Sequence, residues 1–363
     1  MIAQRKDDHV RLAVEQHQQH SGRNQFDEVS FVHHALAGLD RPDVSLATTF
    51  AGISWQVPLY INAMTGGSEK TGIINRDLAI AARETGVPIA SGSMSAYFKD
   101  PDCAATFSVL RKENPDGFVI ANVNATASVD RARMAVDLIQ ADALQIHINT
   151  VQETVMPEGD RSFSSWVPQI EKIAAGVDVP VIVKEVGFGL SRETVRLLES
   201  LGVQVADLGG RGGTDFARIE NGRRELADYA YLHGWGQSTI ACLLDAQDAP
   251  IPVLASGGVR NPLDVARALA LGASGVGVSG GFLRTLLDGG VPALIAQIST
   301  WLDQLAALQT MLGARTPADL AHCDLLIHGE LRDFCADRGI DTRPFARRSG
   351  NLDVPHEMTG STR

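Results

Sequence analysis

Cysteine is scarce: there are four in 363 residues, at 103, 242, 323 and 335, with no Cys-x-x-Cys pair. That spacing supports neither a disulfide framework nor a zinc cage, and reduced thiols, as in the cytosol, are the expected state. No run approaches the ~18 consecutive apolar residues that a membrane span needs. The opening residues, Met1 to His9, are polar and lead straight into charge, unlike a secretory signal. Positive charge is in deficit as well, with Lys plus Arg at 32 against Asp plus Glu at 43, a formal net charge of −11. Bulk attraction to phosphate would therefore have the wrong sign, which argues against nucleic-acid and membrane-surface binding. A small anionic ligand held by a few local cations remains compatible. The expectation is a cytoplasmic protein with neither nucleic acid nor membrane as a partner.

What is present is a globular composition, 44% hydrophobic and 21% charged, with a mean hydropathy of −0.01. Many of the 35 glycines fall just after short apolar runs. Eight such runs read as strands, at 58–63, 88–91, 118–123, 143–148, 179–185, 203–208, 252–256 and 274–279. Most are continuously apolar, as expected of parallel strands covered on both faces. Helical spacing recurs between them, at 73–85, 129–140 and 262–271, and Ser191 with Glu193 and Thr194 reads as a helix N-cap. Strand, loop and helix repeated eight times predict an α/β fold, a (β/α)8 TIM barrel, with an open doubly wound sheet as the competitor. The expected organisation is one domain over 1–363. It has an N-terminal extension at 1–57 with a short helix at 7–19, a barrel core at 58–285, and a C-terminal part at 286–363. A long amphipathic helix is predicted from 282 towards 312, with helical caps over 314–345.

Barrel enzymes build their sites at the C-terminal strand ends. The last two strands end Ser256-Gly257-Gly258-Val259 and Ser279-Gly280-Gly281, paired glycines that let backbone N–H groups approach a phosphate. Tight turns alone explain either pair; two pairs on adjacent final strands match a barrel phosphate cup. Met64, Thr65, Ser93, Asn122 and Lys184 stand at other strand ends and supply the backbone, amide, hydroxyl and cation that a flat heteroaromatic ring needs. Flavin mononucleotide fits this set, whereas a structural ion pair is the plainer role for a buried lysine. Strand four carries Gln145, His147 and Asn149 on one side and Ile146 and Ile148 on the other. Gln152 and Glu153 follow on a loop, where a carboxylate is either solvated or a Mg²⁺ ligand. Arg5, Lys6 and His9 form a compact cationic cluster, either a solvated start or an anion clamp over the mouth.

These elements resemble the type 2 isopentenyl-diphosphate isomerase family, which uses flavin mononucleotide (FMN). The motifs that carry the resemblance are Arg-Lys-Asp-Asp-His at 5–9, Asn-Ala-Met-Thr-Gly-Gly at 62–67 and His-Ile-Asn-Thr-Val-Gln-Glu at 147–153. Lys-Glu-Val-Gly-Phe-Gly at 184–189, Gly-Arg-Gly-Gly-Thr at 210–214 and Ala-Ser-Gly-Gly-Val-Arg at 255–260 follow in the family's order. The resemblance implies interconversion of isopentenyl and dimethylallyl diphosphate in isoprenoid biosynthesis, with reduced FMN, Mg²⁺ and NADPH as the reductant. It implies that Ala63, Met64, Thr65, Ser93, Asn122, Lys184 and Thr214 contact the flavin nucleotide, with Gly257, Gly258, Val259, Ser279 and Gly280 on its phosphate. By the same resemblance Arg5, Lys6, His9, His147 and Asn149 bind substrate, Gln152 is catalytic and faces the isoprene unit, and Glu153 ligates the metal. A homo-oligomer, a tetramer or octamer, is implied too. The chain departs from the family at Met94-Ser95, where many members have glutamine and a basic residue; Lys99, or hydrogen bonds from Ser93 and Ser95, could compensate. His233 and Gly209 stand where an acidic residue and a serine are found in other members.

The implied reaction adds a proton at C4 of an unactivated alkene and removes one from C2. Neither Gln152 nor His147 alone is an adequate acid, which makes the reduced flavin the expected proton relay. Two alternatives remain. An FMN-dependent 2-hydroxy-acid oxidase or dehydrogenase needs a His base and Arg groups, and no His-x-x-Arg follows strand six. A non-catalytic flavin-binding sensor or scaffold would leave the Gln152-Glu153 pair without a role.

Overall fold

Each of the eight apolar runs forms a strand. The computed structural model describes residues 10–12, 16 and 24–349. Ahead of the barrel lie β1 (Val29–Phe31) and a hairpin of β2 (Thr48–Phe50) and β3 (Ile53–Trp55). The barrel strands are β4 (Leu59–Ile61), β5 (Ile89–Ala90), β6 (Val119–Asn124), β7 (Ala143–Ile148), β8 (Val181–Glu185), β9 (Val205–Asp207), β10 (Val253–Ser256) and β11 (Ala273–Val278). They are parallel, each pairs with the next in sequence, and β11 closes on β4. Burial on both faces explains why they read as unbroken apolar runs and not as alternating ones.

The helices are α1 (Glu69–Thr85), α2 (Ala105–Glu113), α3 (Val129–Ile139), α4 (Thr150–Val155), α5 (Trp166–Gly176), α6 (Arg192–Ser200), α7 (Phe216–Gly222), α8 (Thr239–Asp245), α9 (Pro262–Ala270), α10 (Gly280–Leu312) and α11 (Gly329–Asp337). Caps start many of them where the sequence supplies a short polar residue. Ser68, Ser128, Ser191, Ser238 and Asn261 each accept a hydrogen bond from a backbone N–H of the first turn, an interaction worth about 1 kcal/mol apiece. No helix among the described residues is long and apolar enough to cross a membrane. The four cysteines are free, and three of them are buried.

The N-terminal mouth of the barrel is plugged. Phe50, Ile53 and Trp55 of the hairpin pack on Tyr60, Ala90, Ile120, Ala143, Ile182, Val205 and Leu254, one residue from each of seven strands. The eighth strand contributes space: a Cβ on Gly275 would lie 2.6 Å from the Trp55 ring. Trp55→Ala leaves a cavity under the whole barrel and is expected to cost about 3–5 kcal/mol, read as a lowered denaturant midpoint with the opposite mouth intact.

Three expectations need correction. The 1–57 extension holds β1 and the plug hairpin as well as helical residues at 10–12 and 16; the rest of the predicted 7–19 helix lies outside the described residues. The 314–345 caps include a strand, β12 (Leu325–Ile327), which pairs antiparallel with β1 some 300 residues away. Three-residue strands carry no measurable period, so only the distant partner defines them. The boundary at 285 falls inside α10, which begins at Gly280; its true break is Gly290, whose φ of 72° and ψ of −172° interrupt the helix just before Pro292.

Candidate active site

The C-terminal strand ends open on a cavity of about 400 Å³. Every described residue expected from the resemblance to contact flavin, substrate or metal lines it: Ala63, Met64, Thr65, Ser93, Asn122, His147, Asn149, Gln152, Glu153, Lys184, Thr214, Gly257, Gly258, Val259, Ser279 and Gly280. Arg5, Lys6 and His9 lie outside the described residues. Lys99 and Ser95 line the cavity too, and no arginine does so among the described residues.

One end is built for an anion. Gly257 and Gly258 have φ of 99° and 76°, and a Cβ on Gly257 would sit 2.0 Å from the Gly210 carbonyl oxygen. Only glycine allows the turns after β9 and β10 to press together there. Alongside, α10 starts at Gly280 with no side-chain cap from Ser279, so its first N–H groups have no partner within the helix and point, with the positive end of its dipole, into the cavity. Arg260 steadies the turn from behind and takes no part in the lining. It binds Asp27 at 2.7 Å and Asp264 at 2.8 Å, and its guanidinium holds the Asp27 carboxyl down at about 2. Asn24 donates to the Gly258 carbonyl at 2.8 Å.

The other end is flat and polar. Thr65 Oγ1 and Ser91 Oγ are buried and have no hydrogen-bond partner; Thr65 borders the cavity, and a heteroaromatic edge would satisfy its hydroxyl. Lys184 is 8% exposed, and its Nζ donates to the Glu185 carbonyl at 2.6 Å. It makes no salt bridge among the described residues, so the structural ion pair considered from sequence is absent. Beneath it Glu185 accepts from the N–H groups of Phe188 and Gly189. Burial nonetheless pushes its carboxyl up to about 8, so the neutral acid is the form the fold favours through most of the physiological range.

Along β7 the side chains alternate as the sequence indicates. Ile146 joins the main core, while Gln145, His147 and Asn149 turn towards the barrel axis and mouth. Gln152 and Glu153, expected on a loop, lie instead on the helical turns of α4. Six residues are too few to display a helical period in sequence. Asn149 Nδ2 donates to Gln152 Oε1 and Glu153 Oε1, both at 3.1 Å, and Glu153 Oε2 accepts from the Asp160 N–H at 2.8 Å.

Sequence reasoning missed Glu220. It is fully buried on α7, accepts from Gln152 Nε2 at 2.8 Å, and is ion-paired with Arg223, which also reaches Glu158 at 2.7 Å. The available signal was a carboxylate flanked by the buried Ile219 and Asn221; its partner, 68 residues away, gave none. Among the described residues no group of three or more His, Cys, Asp or Glu side chains could hold a metal by itself. A single carboxylate completed by substrate phosphates and water is nevertheless an ordinary way to hold Mg²⁺, and Glu153 fits it.

An FMN-dependent dehydrogenase family model matches residues 110–326. The isopentenyl-diphosphate delta-isomerase of Streptomyces sp. (strain CL190) is 80% identical over 361 residues, covering 99% of both chains. That of Kitasatospora griseola is 78% identical over the same span. This chain belongs to the type 2 isopentenyl-diphosphate delta-isomerase family. Likeness extends at 47% identity to the isopentenyl-diphosphate delta-isomerase of Latilactobacillus sakei, covering 93% of this chain and 96% of that one. Among solved structures, a mutant flavocytochrome b2 with benzoylformate aligns at a TM-score of 0.62 and 21% identity, covering 85% of this chain and 77% of that one. A mandelate oxidase mutant with benzaldehyde aligns at 0.61 and 16%, covering 88% and 90%. At those identities the likeness is one of fold: the same closed barrel serves dissimilar chains.

Proposed function

We propose that the chain interconverts isopentenyl and dimethylallyl diphosphate in isoprenoid biosynthesis, with FMN in the cavity and Mg²⁺ on the substrate diphosphate. One coincidence carries the reading. Every described residue assigned by the resemblance to flavin, substrate or metal borders a single cavity, in a chain 80% identical over 99% of its length to an isopentenyl-diphosphate delta-isomerase. Gly257, Gly258, Val259, Ser279 and Gly280 are assigned to the flavin phosphate. Ala63, Met64, Thr65, Ser93, Asn122, Lys184 and Thr214 are assigned to the rest of the nucleotide, with Lys184 as the cation beside its electron-rich end. Asn122 has less to offer than its position suggests, since its amide already bonds Gln145 and His147 at 2.7 and 2.8 Å. When bound and reduced, the flavin supplies an electron-rich face for a developing tertiary cation and a carrier for the proton.

The side chains divide the remaining work. Glu153 and Mg²⁺ fix the diphosphate, with Arg5, Lys6, His9, His147 and Asn149 adding contacts. Gln152 orients the five-carbon unit, its amide held between Asn149 and Glu220. Burial under the strand-end loops excludes water from an alkene that is a poor base. NADPH as reductant, a homo-oligomeric assembly and a cytoplasmic location belong to the same proposal. The hydroxy-acid alternative would need an arginine on a substrate carboxylate, and the described lining has none.

The deciding experiment incubates the purified protein anaerobically with NADPH, Mg²⁺ and isopentenyl diphosphate. Dimethylallyl diphosphate is the expected product; a colourless protein that will not take up FMN, or a yellow one that bleaches with a hydroxy acid and yields no isomer, rejects the reading.

Lys99 is the exposed cation at the cavity rim beside Ser93 and Ser95, whose hydroxyls lie 2.9 Å apart. It stands close to where the chain lacks the family's basic residue. Lys99→Ala is expected to raise the KM for isopentenyl diphosphate about tenfold, equivalent to ~1.4 kcal/mol, with kcat changed less than about twofold. Steady-state kinetics on the FMN-loaded protein test this directly.

A further inference from the structure

We propose that Asp207, buried below the cavity, sets the tautomer of His147 through a line of three amides, Asn62, Gln145 and Asn122. Asp207 is fully buried, and four donors converge on it. Oδ2 receives Tyr60 Oη at 2.6 Å and Asn62 Nδ2 at 2.9 Å, and Oδ1 receives Ser256 Oγ at 2.6 Å and the Gly209 N–H at 3.3 Å. Tyr60 remains a donor, because burial and the neighbouring carboxylate push its phenol well above the ordinary range.

A carboxylate accepts and does not donate, which gives the line a direction. Asn62 must turn its NH₂ towards Asp207. Its oxygen is fixed a second time, independently, by the backbone N–H of Ala63 at 2.7 Å. The same oxygen receives Gln145 Nε2 at 3.4 Å, the longest link. Gln145 Oε1 then accepts from Asn122 Nδ2 at 2.7 Å, which leaves Asn122 Oδ1 facing His147 Nδ1 at 2.8 Å. Flipping Gln145 and Asn122 together would preserve the bond between them but set two amide oxygens against each other at Asn62. Buried like poles cost more than the bonds they replace. The hydrogen between Asn122 and His147 therefore sits on Nδ1.

It follows that the neutral ring carries its lone pair on Nε2, the nitrogen across the ring from Asn122. His147 can offer a hydrogen from Nε2 to an anion only as the imidazolium, with both nitrogens protonated. Under the isomerase reading this makes His147 a cationic partner for the diphosphate and not a neutral donor. The tautomer itself does not depend on that reading. Asp207, Asn62 and Gln145 are thus positioning residues, touching neither substrate nor cofactor for this purpose.

The test is ¹⁵N solid-state NMR on the FMN-loaded full chain labelled at histidine, without substrate, at about pH 9, where an ordinary imidazole is neutral. The His147 signals are those lost in His147→Gln. The expected spectrum has a protonated Nδ1 and a bare Nε2, with the opposite tautomer about tenfold or more less populated. Gln145→Met keeps the volume and cuts the line, and is expected to bring the two tautomers to within about threefold of each other. If Gln145→Met does not fold, Asn62→Ala cuts the same line one amide nearer the carboxylate, and the same loss of bias is expected. An Nε2–H form dominating in the native protein overturns the proposal, and so does an unchanged ratio in a folded, FMN-binding Gln145→Met or Asn62→Ala variant.

Discussion

Glu153→Gln is expected to lower turnover of isopentenyl diphosphate by about 100- to 1,000-fold, the size of losing one preorganised electrostatic contact, and to abolish the response of the rate to added Mg²⁺. The carboxylate is held in place on both oxygens, by Asn149 Nδ2 and by the Asp160 N–H. An amide can accept at only one of those two positions and turns an NH₂ against the other donor. The substitution therefore removes the negative charge and disturbs the orientation together. No group of three or more His, Cys, Asp or Glu side chains among the described residues is gathered to hold a metal by itself, so with Glu153 gone the ion depends on the diphosphate, water and the Glu158 and Asp160 side chains elsewhere on the cavity wall. Initial rates over a Mg²⁺ titration, with Mn²⁺ binding followed by paramagnetic resonance in the presence of substrate, separate weak binding from slow chemistry. A variant with native turnover and an unaltered Mg²⁺ requirement removes Glu153 from the metal site.

The barrel was legible because its strands are buried on both faces: a run such as Val119–Asn124 admits few polar residues until it reaches the mouth, where Asn122 and Asn124 mark the end. Glycine then marks most exits, as at Gly257 and Gly258, where another side chain would strike the neighbouring loop. The same logic made most of the cavity lining readable, since a residue two or three places beyond a barrel strand has little choice but to face the opening. What escaped were features defined only by a distant partner. β1 and β12 are three residues each and have meaning only as a pair. The hairpin at 48–55 is a plug because Gly275, more than 200 residues later, leaves room for Trp55. Gln152 and Glu153 were legible as chemistry but not as helix, and Asp207, the one acidic residue in the 203–208 run, gave no local sign that it anchors a hydrogen-bond line.

Glu220 is the strongest instance of such a partner, and its removal is expected to cost about as much as removing Gln152 itself. Gln152 holds its oxygen towards Asn149 Nδ2 and its NH₂ towards Glu220 Oε1. Without the carboxylate nothing described holds the NH₂ end, and the amide can rotate away from the orientation the substrate needs. Glu220→Ala is therefore expected to lower kcat about 100-fold, the usual cost of misplacing a positioned group, while Glu220→Gln, which keeps an acceptor but loses the charge, falls between it and the native protein. Stability separates the two variants as well. Deleting one partner of a buried ion pair costs about 3–5 kcal/mol, but Arg223 retains Glu158 at 2.7 Å, so Glu220→Ala should melt lower and still fold. The informative measurement is the cycle with Gln152→Ala. If Glu220 acts by orienting Gln152, the double variant turns over no more slowly than the poorer single one, because the second deletion has nothing left to disturb. Losses that multiply would mean that Glu220 reaches the reaction by a route that bypasses Gln152, and the orienting role would have to be given up.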